Sequence, residues 1–152
     1  YRVIKNAIKN PRIAKSLGLE AWQLHSDNLM ILRVENIADR QKRIARYICT
    51  NNIDRMTLAE LDKIYTDISE AYNEVMKAYY NHDRQAAIKI ETTNRDRTSA
   101  CDKFLEKYMN AHASAKNKTS NASLVAVAKI VENLKATTVE LRNLARTVLC
   151  YE

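Results

Sequence analysis

Glu35 and Asp39 stand four residues apart in the stretch Leu29–Cys49, LMILRVENIADRQKRIARYIC. On a helix, residues at i and i+4 lie one above the other, so the two carboxylates are neighbours. Two like charges at that spacing destabilise a helix by about 0.2–0.5 kcal/mol unless a cation compensates. A metal ion would serve, since carboxylate oxygens suit hard cations and iron. Two carboxylates are too few to hold one, so further ligands would have to come from another helix, from water or from a symmetry mate. A basic side chain would also serve. Lys42, Arg43 and Arg46 follow on the next turns, and Asp39 with Arg43 has the spacing of a good ion pair.

No other residues make a comparable constellation. His25, His82 and His112 have no partner at ligand spacing and read as surface or linker residues. Cys49, Cys101 and Cys150 are far apart, with no CxxC pair and no zinc spacing. Cys49 and Cys150 fall near the ends of apolar patterns, where a buried thiol acts as a small hydrophobe. There is no nucleophile with a base at hand, no glycine-rich phosphate loop and no HExxH, so the chain does not read as an enzyme. Trp22 is alone, without the aromatic platform that single-stranded nucleic acid uses.

The elements that must carry these residues are helices. The 152 residues include one Gly and one Pro, and 46% are hydrophobic. Strand-rich folds need turn glycines, so an all-α chain is expected, with a core of ordinary size. The net charge of +7 and pI near 9.4 suit an anionic partner, yet the bases are interleaved with acids and form no basic tail. The cysteine usage fits a reducing, cytoplasmic setting. No apolar run reaches the length of a membrane span. Asn117-Lys118-Thr119 and Asn121-Ala122-Ser123 match glycosylation acceptors, which read as chance in a cytoplasmic protein. The chain opens on Tyr1 inside a helix-like run and lacks an initiator Met. It reads as a fragment with sequence missing on its N-terminal side.

Along the chain, Asn10-Pro11 breaks a first run. Pro11 suits the first turn of a short helix ending near Leu17, and Gly18 suits its C-terminal cap. A helix from about Glu20 to Cys49 carries Met30, Val34, Ile37, Ile44 and Ile48 on one face, interrupted by Gln41. Thr57 with Glu60 reads as a capping box that starts the next helix. There Leu58, Leu61, Tyr65, Ile68, Tyr72, Val75 and Tyr79 alternate three and four apart. Asp83 suits the N-cap of a helix running to about His112, with Ala86, Ile90, Cys101, Phe104 and Tyr108 inward and a polar layer at Thr93, Asn94 and Arg97. After a Ser114–Ser120 linker, Leu124, Val127, Val131, Leu134, Thr138, Leu141, Ala145 and Val148 mark the last helix. From Thr57 onward this predicts an antiparallel three-helix bundle, with Tyr65, Ile68, Tyr72 and Val75 facing Val131, Leu134, Thr138 and Leu141. The Glu20–Cys49 helix either joins it as a fourth or completes a bundle with residues upstream.

The segment Val34-Glu35-Asn36-Ile37-Ala38-Asp39-Arg40, followed by Ile44-Ala45, resembles the end-of-repeat signature of the PhoU family of phosphate-uptake regulators. That signature reads roughly apolar-E-R-I-A/G-D-H-x-x-x-I-A. Asn10 to Leu19 looks like the approach to it in archaeal members. Residues 58–109 resemble the opening two helices of a following repeat, and residues 124–149 its closing helix, with Asn143-Leu144-Ala145 matching the family's "N-I-A". This divides the chain into 1–53, the end of a first PhoU-like repeat, and 54–152, a second three-helix repeat. The chain departs from the pattern at Asn36, where the family has Arg, and at Arg40, where it has His. Lys135 and Val139 stand where the second repeat's acids should be.

The resemblance implies two three-helix bundles side by side and a non-enzymatic regulator of phosphate uptake or phosphate signalling. It implies contacts with phosphate transporter components or a sensor kinase, and leaves room for a homodimer. It also implies iron or zinc at Glu35 and Asp39, one centre at most. Some archaeal relatives join this module to an N-terminal DNA-binding domain. The alternative is therefore the effector half of a transcription regulator, reaching DNA only through a domain missing here.

Overall fold

The computed structural model describes residues 2–114 and 121–150. They form six helices: α1 (Arg2–Lys9), α2 (Pro11–Ser16), α3 (Ala21–Thr50), α4 (Arg55–Asn81), α5 (Arg84–Ser114) and α6 (Asn121–Leu149). No strand occurs among the described residues. Most of the expected Ser114–Ser120 linker, with the Asn117 acceptor, lies outside them.

Local chemistry sets the helix ends. Asn10 Oδ1 accepts from Arg12 N at 3.0 Å, with Pro11 in the first helical position. After α2, Gly18 takes φ +67°, a left-handed conformation that costs a residue without Cβ nothing. α4 begins earlier than the Thr57–Glu60 capping box predicts. Asp54 is its N-cap, accepting from Thr57 N at 2.9 Å and from the Thr57 hydroxyl at 2.6 Å. α4 closes on His82, whose left-handed φ of 53° lets Asp83 N reach Ala78 O at 2.9 Å. Asp83 then caps α5 as expected, accepting from Ala86 N at 3.0 Å.

α6 is the hub of the packing. It lies against α3, α4 and α5, while α5 also packs on α4 and α1 lies on α2 and α3. Charged pairs show that neighbours run antiparallel. Glu60 meets Lys107 and Asp67 meets Arg97 between α4 and α5. Asp102 meets Lys135 and Glu91 meets Arg146 between α5 and α6. Met30, Ile37 and Ile44 of α3 share one core with Leu61 and Ile68 of α4, Ile90 and Phe104 of α5, and Leu134 and Leu141 of α6. Of the two arrangements open for the Glu20–Cys49 helix, packing beside the α4–α6 helices is observed.

Two parts of the predicted core are displaced. The buried row of α4 is Thr57, Leu61, Ile68, Ala71, Val75 and Ala78. Tyr65, predicted inside, is 39% exposed, and Tyr72 and Tyr79 are only partly buried. The helix is turned by about one residue so that small alanines face inward and the tyrosines stand at the edge. A tyrosine at an edge buries its ring and keeps its hydroxyl in polar surroundings; Tyr79 donates to Asp27 of α3. Ile48 is likewise 38% exposed rather than part of the α3 core face. Cys49 and Cys150 are exposed, not buried hydrophobes, whereas Cys101 is buried.

α6 buries two adjacent rows. Val127, Val131, Leu134, Thr138, Leu141, Ala145 and Val148 form the row the sequence predicts. Ala126, Ile130, Asn133, Thr137, Glu140, Leu144 and Thr147 form a second, and it is rich in polar side chains.

Candidate functional site

Glu35 and Asp39 sit on the outer face of α3, both exposed. Ile37 and Ile44 of the same segment point into the core. Asp39 pairs with Lys42 at 3.5 Å, an i,i+3 contact, rather than with Arg43. Among the described residues no group of three or more His, Cys, Asp or Glu side chains converges in a way that could hold a metal ion. Iron or zinc at this face would need donors from water or a second molecule, because these two carboxylates do not complete a coordination sphere. Lys135, at a position where the second repeat's acid is expected, is bound to Asp102 at 2.5 Å, and Val139 is exposed.

The most constrained polar group near that face is one that periodicity does not reveal. Glu140 of α6 has a side chain only 7% exposed. Arg33 Nη1 donates to its Oε2 at 3.0 Å, and Asn36 Nδ2 donates to Oε1 at 3.2 Å. Arg40 Nη2 lies 3.7 Å from Oε1. These three donors recur at three- and four-residue steps along α3, which places them on one face. A carboxylate this buried is tolerable only when paired and hydrogen-bonded. Asn36 and Arg40, the positions that depart from the family signature, are two of its partners. The sequence carries no clear signal for it: Glu140 is one of two glutamates in a helix that also holds Lys129, Lys135, Arg142 and Arg146, and its partners lie about a hundred residues upstream.

The histidines are placed separately. His25 is exposed at a cleft, His82 caps α4, and His112 Nδ1 lies 2.7 Å from Tyr108 O with its ring against that tyrosine. The polar layer of α5 is an internal network. Arg97 donates to the Thr93 hydroxyl at 2.9 Å and lies 3.2 Å from Asp67, and Thr98 and Thr138 share a hydrogen bond of 3.1 Å. Burial pushes the Cys101 thiol up to about 11, so it is a protonated, unreactive core group.

One opening is large. α3 and α4 form the walls of a trough whose floor is Ile130, Leu134 and Thr137 of α6. Its wider half, about 640 Å³, runs between Gln41–Ile48 and Arg55–Tyr65. Its narrower half, about 370 Å³, continues between Val34–Gln41 and Tyr65–Asn73. The lining is mainly apolar, with Gln41 and Tyr65 shared by both halves. Tyr65, displaced from the predicted core, is thus a wall of this trough.

No family model, curated protein or solved structure matches this chain.

Proposed function

We propose that this chain is a non-enzymatic regulator of phosphate uptake or phosphate signalling that acts through protein contacts. In this reading it comprises the end of one PhoU-like repeat followed by a second, three-helix repeat. The observation that carries the reading is the way α3 divides the segment resembling the family signature. Ile37 and Ile44 anchor it in the core, while Glu35 and Asp39 face outward beside an open apolar trough. A segment split in this way supports presentation of a surface, which is what a regulator working by contact needs. Iron or zinc belongs to the same reading only as an ion shared with a second molecule at Glu35 and Asp39.

The test is deletion of the gene in its own host. Altered phosphate uptake, restored by the intact gene, supports the proposal. Changed phosphate-responsive transcription with normal uptake points instead to the effector half of a transcription regulator. No change in either leaves a purely structural bundle and removes the proposal.

A further inference from the structure

We propose that α1 and α2, together with Trp22 at the start of α3, form an arm that docks on an anionic membrane surface. The interleaving of acids and bases expected along the chain breaks down here. Arg2, Lys5, Lys9, Arg12 and Lys15 are the charged residues of positions 1–19, which hold no carboxylate. They account for five of the net +7, so the rest of the chain is nearly balanced. All five are exposed. Arg2, Lys9, Arg12 and Lys15 make no ion pair among the described residues. The next two carboxylates in the chain are engaged elsewhere. Glu20 accepts from Trp22 Nε1 at 2.6 Å and caps α3, and Asp27 accepts from Tyr79. The arm therefore keeps a positive excess that a surface of phosphates complements.

Apolar exposure selects the membrane among anionic surfaces. With about 3.6 residues per turn, Arg2, Lys5 and Lys9 share one side of α1, and Val3, Ile4, Ala7 and Ile8 the other. Ala7 is buried, but Val3 and Ile8, at the margins of the apolar side, remain exposed, as do Leu17 and Trp22. An apolar cleft of about 550 Å³ opens among them, between α1, α2 and the start of α3, with Ile8, Ala14, Leu19 and Leu24 in its lining beside Lys15. A lipid interface uses both sets of side chains. Lys and Arg reach the headgroup phosphates, while Ile, Leu and Trp enter the boundary with the acyl chains. A nucleic-acid backbone uses the bases alone and leaves the apolar side chains in water. None of the described helices is long and apolar enough to cross a membrane, so the contact is peripheral.

Trp22 is the only tryptophan of the chain, so its emission reads the arm directly. The experiment mixes the full chain with phosphatidylcholine vesicles that contain about one-third phosphatidylserine. The emission should shift to the blue and be quenched by brominated lipid, and salt should weaken both effects. Pure phosphatidylcholine should give neither. Lys9→Glu with Arg12→Glu and Lys15→Glu should weaken binding at least about a hundredfold, since each basic residue near such a surface is worth about fivefold. The melting midpoint should stay in place, because all three are exposed. The same reversal at Lys63, Lys77 and Lys103, exposed on α4 and α5, should weaken binding no more than about fivefold. No binding up to about 1 mM lipid overturns the proposal. So does an equal loss in the two triple variants, which assigns binding to net charge alone. Adsorption with Trp22 emission unshifted overturns it too, because the bases would then act without the apolar side chains. Binding to a DNA duplex with none to vesicles overturns it and assigns the arm to nucleic acid. Vesicle binding is read without any phosphate phenotype, so its failure and failure of the phosphate reading are separate results.

Discussion

The two buried rows of α6 solve the same problem with different chemistry. Toward α4 and α5 the helix offers Val127, Val131, Leu134, Leu141 and Val148, with Thr138 as the one polar member, bonded to Thr98. Toward α3 it offers Asn133, Thr137, Glu140 and Thr147 among Ile130 and Leu144. The first row is held by apolar burial, which is strong and non-directional. The second depends on Glu140 meeting Arg33, Asn36 and Arg40, and a buried charge tolerates no displacement of its partners. Burial holds α4–α6 together; the ionic clamp fixes where along α6 the helix α3 must sit. A helix attached by apolar residues alone could slide by a turn and lose little.

The comparison predicts a hierarchy of effects. Leu134→Ala should cost about 2–5 kcal/mol in a denaturant titration, and should speed alkylation of Cys101 by opening the core around it. Glu140→Ala should cost less, about 1–3 kcal/mol, because Arg33 and Arg40 keep part of their access to water. If Glu140→Ala proves costlier than Leu134→Ala, the ranking of the two rows is reversed. Combining Glu140→Leu with Arg33→Met and Arg40→Met sharpens the point. The triple variant should recover most of the loss while broadening the backbone amide signals of α3, since stability returns without register.

Smaller effects follow at the helix ends and the surface. Asp54→Ala should cost about 0.5–2 kcal/mol as a lost N-cap. The hydrogen bonds from Thr57 hold the Asp54 carboxyl below its ordinary value of 3.8. Its stabilisation is therefore present above that pH and is lost as pH falls through the lower folded value. Melting curves below about pH 4 should lose part of their acid sensitivity in Asp54→Ala. Least of all, Glu35→Gln with Asp39→Asn should change stability by under about 0.5 kcal/mol, as for other exposed charges. Elemental analysis of protein purified without chelator and then reconstituted should show iron and zinc below one per chain. One ion per pair of chains, removed by this double variant, would show that a second molecule completes the site.

The legible and illegible parts of the fold differ along the same line. Three-four spacing of Val, Leu and Ile reveals α4, α6 and the apolar row between them. On α4, the weight of Tyr65, Tyr72 and Tyr79 draws the predicted stripe one residue toward the aromatics. Ala71 and Ala78, too small to register as strongly hydrophobic, are what the close-packed centre admits. The second row of α6 is hidden for a different reason. Asn133, Thr137 and Glu140 read as a solvated face; the first two bond back to Lys129 O and Asn133 O of their own helix, and the pairing of Glu140 with α3 is too distant in sequence to leave a periodic trace. In the candidate site, Glu35 and Asp39 are legible as a pair of neighbours. The trough is not, because it arises from how far α3 and α4 stand apart on α6.

The hub helix follows all its partners in the chain, and this orders events during synthesis. Arg33 and Glu140 are separated by 107 positions. At about 5–20 residues per second on the ribosome, the arginine emerges some 5–20 s before its counterion exists. In that interval Ile37 and Ile44 lack the α6 floor on which they rest in the folded chain, and α4 and α5 have each other to pack against. The core that α3, α4 and α5 share with α6 can therefore close only once α6 has been made.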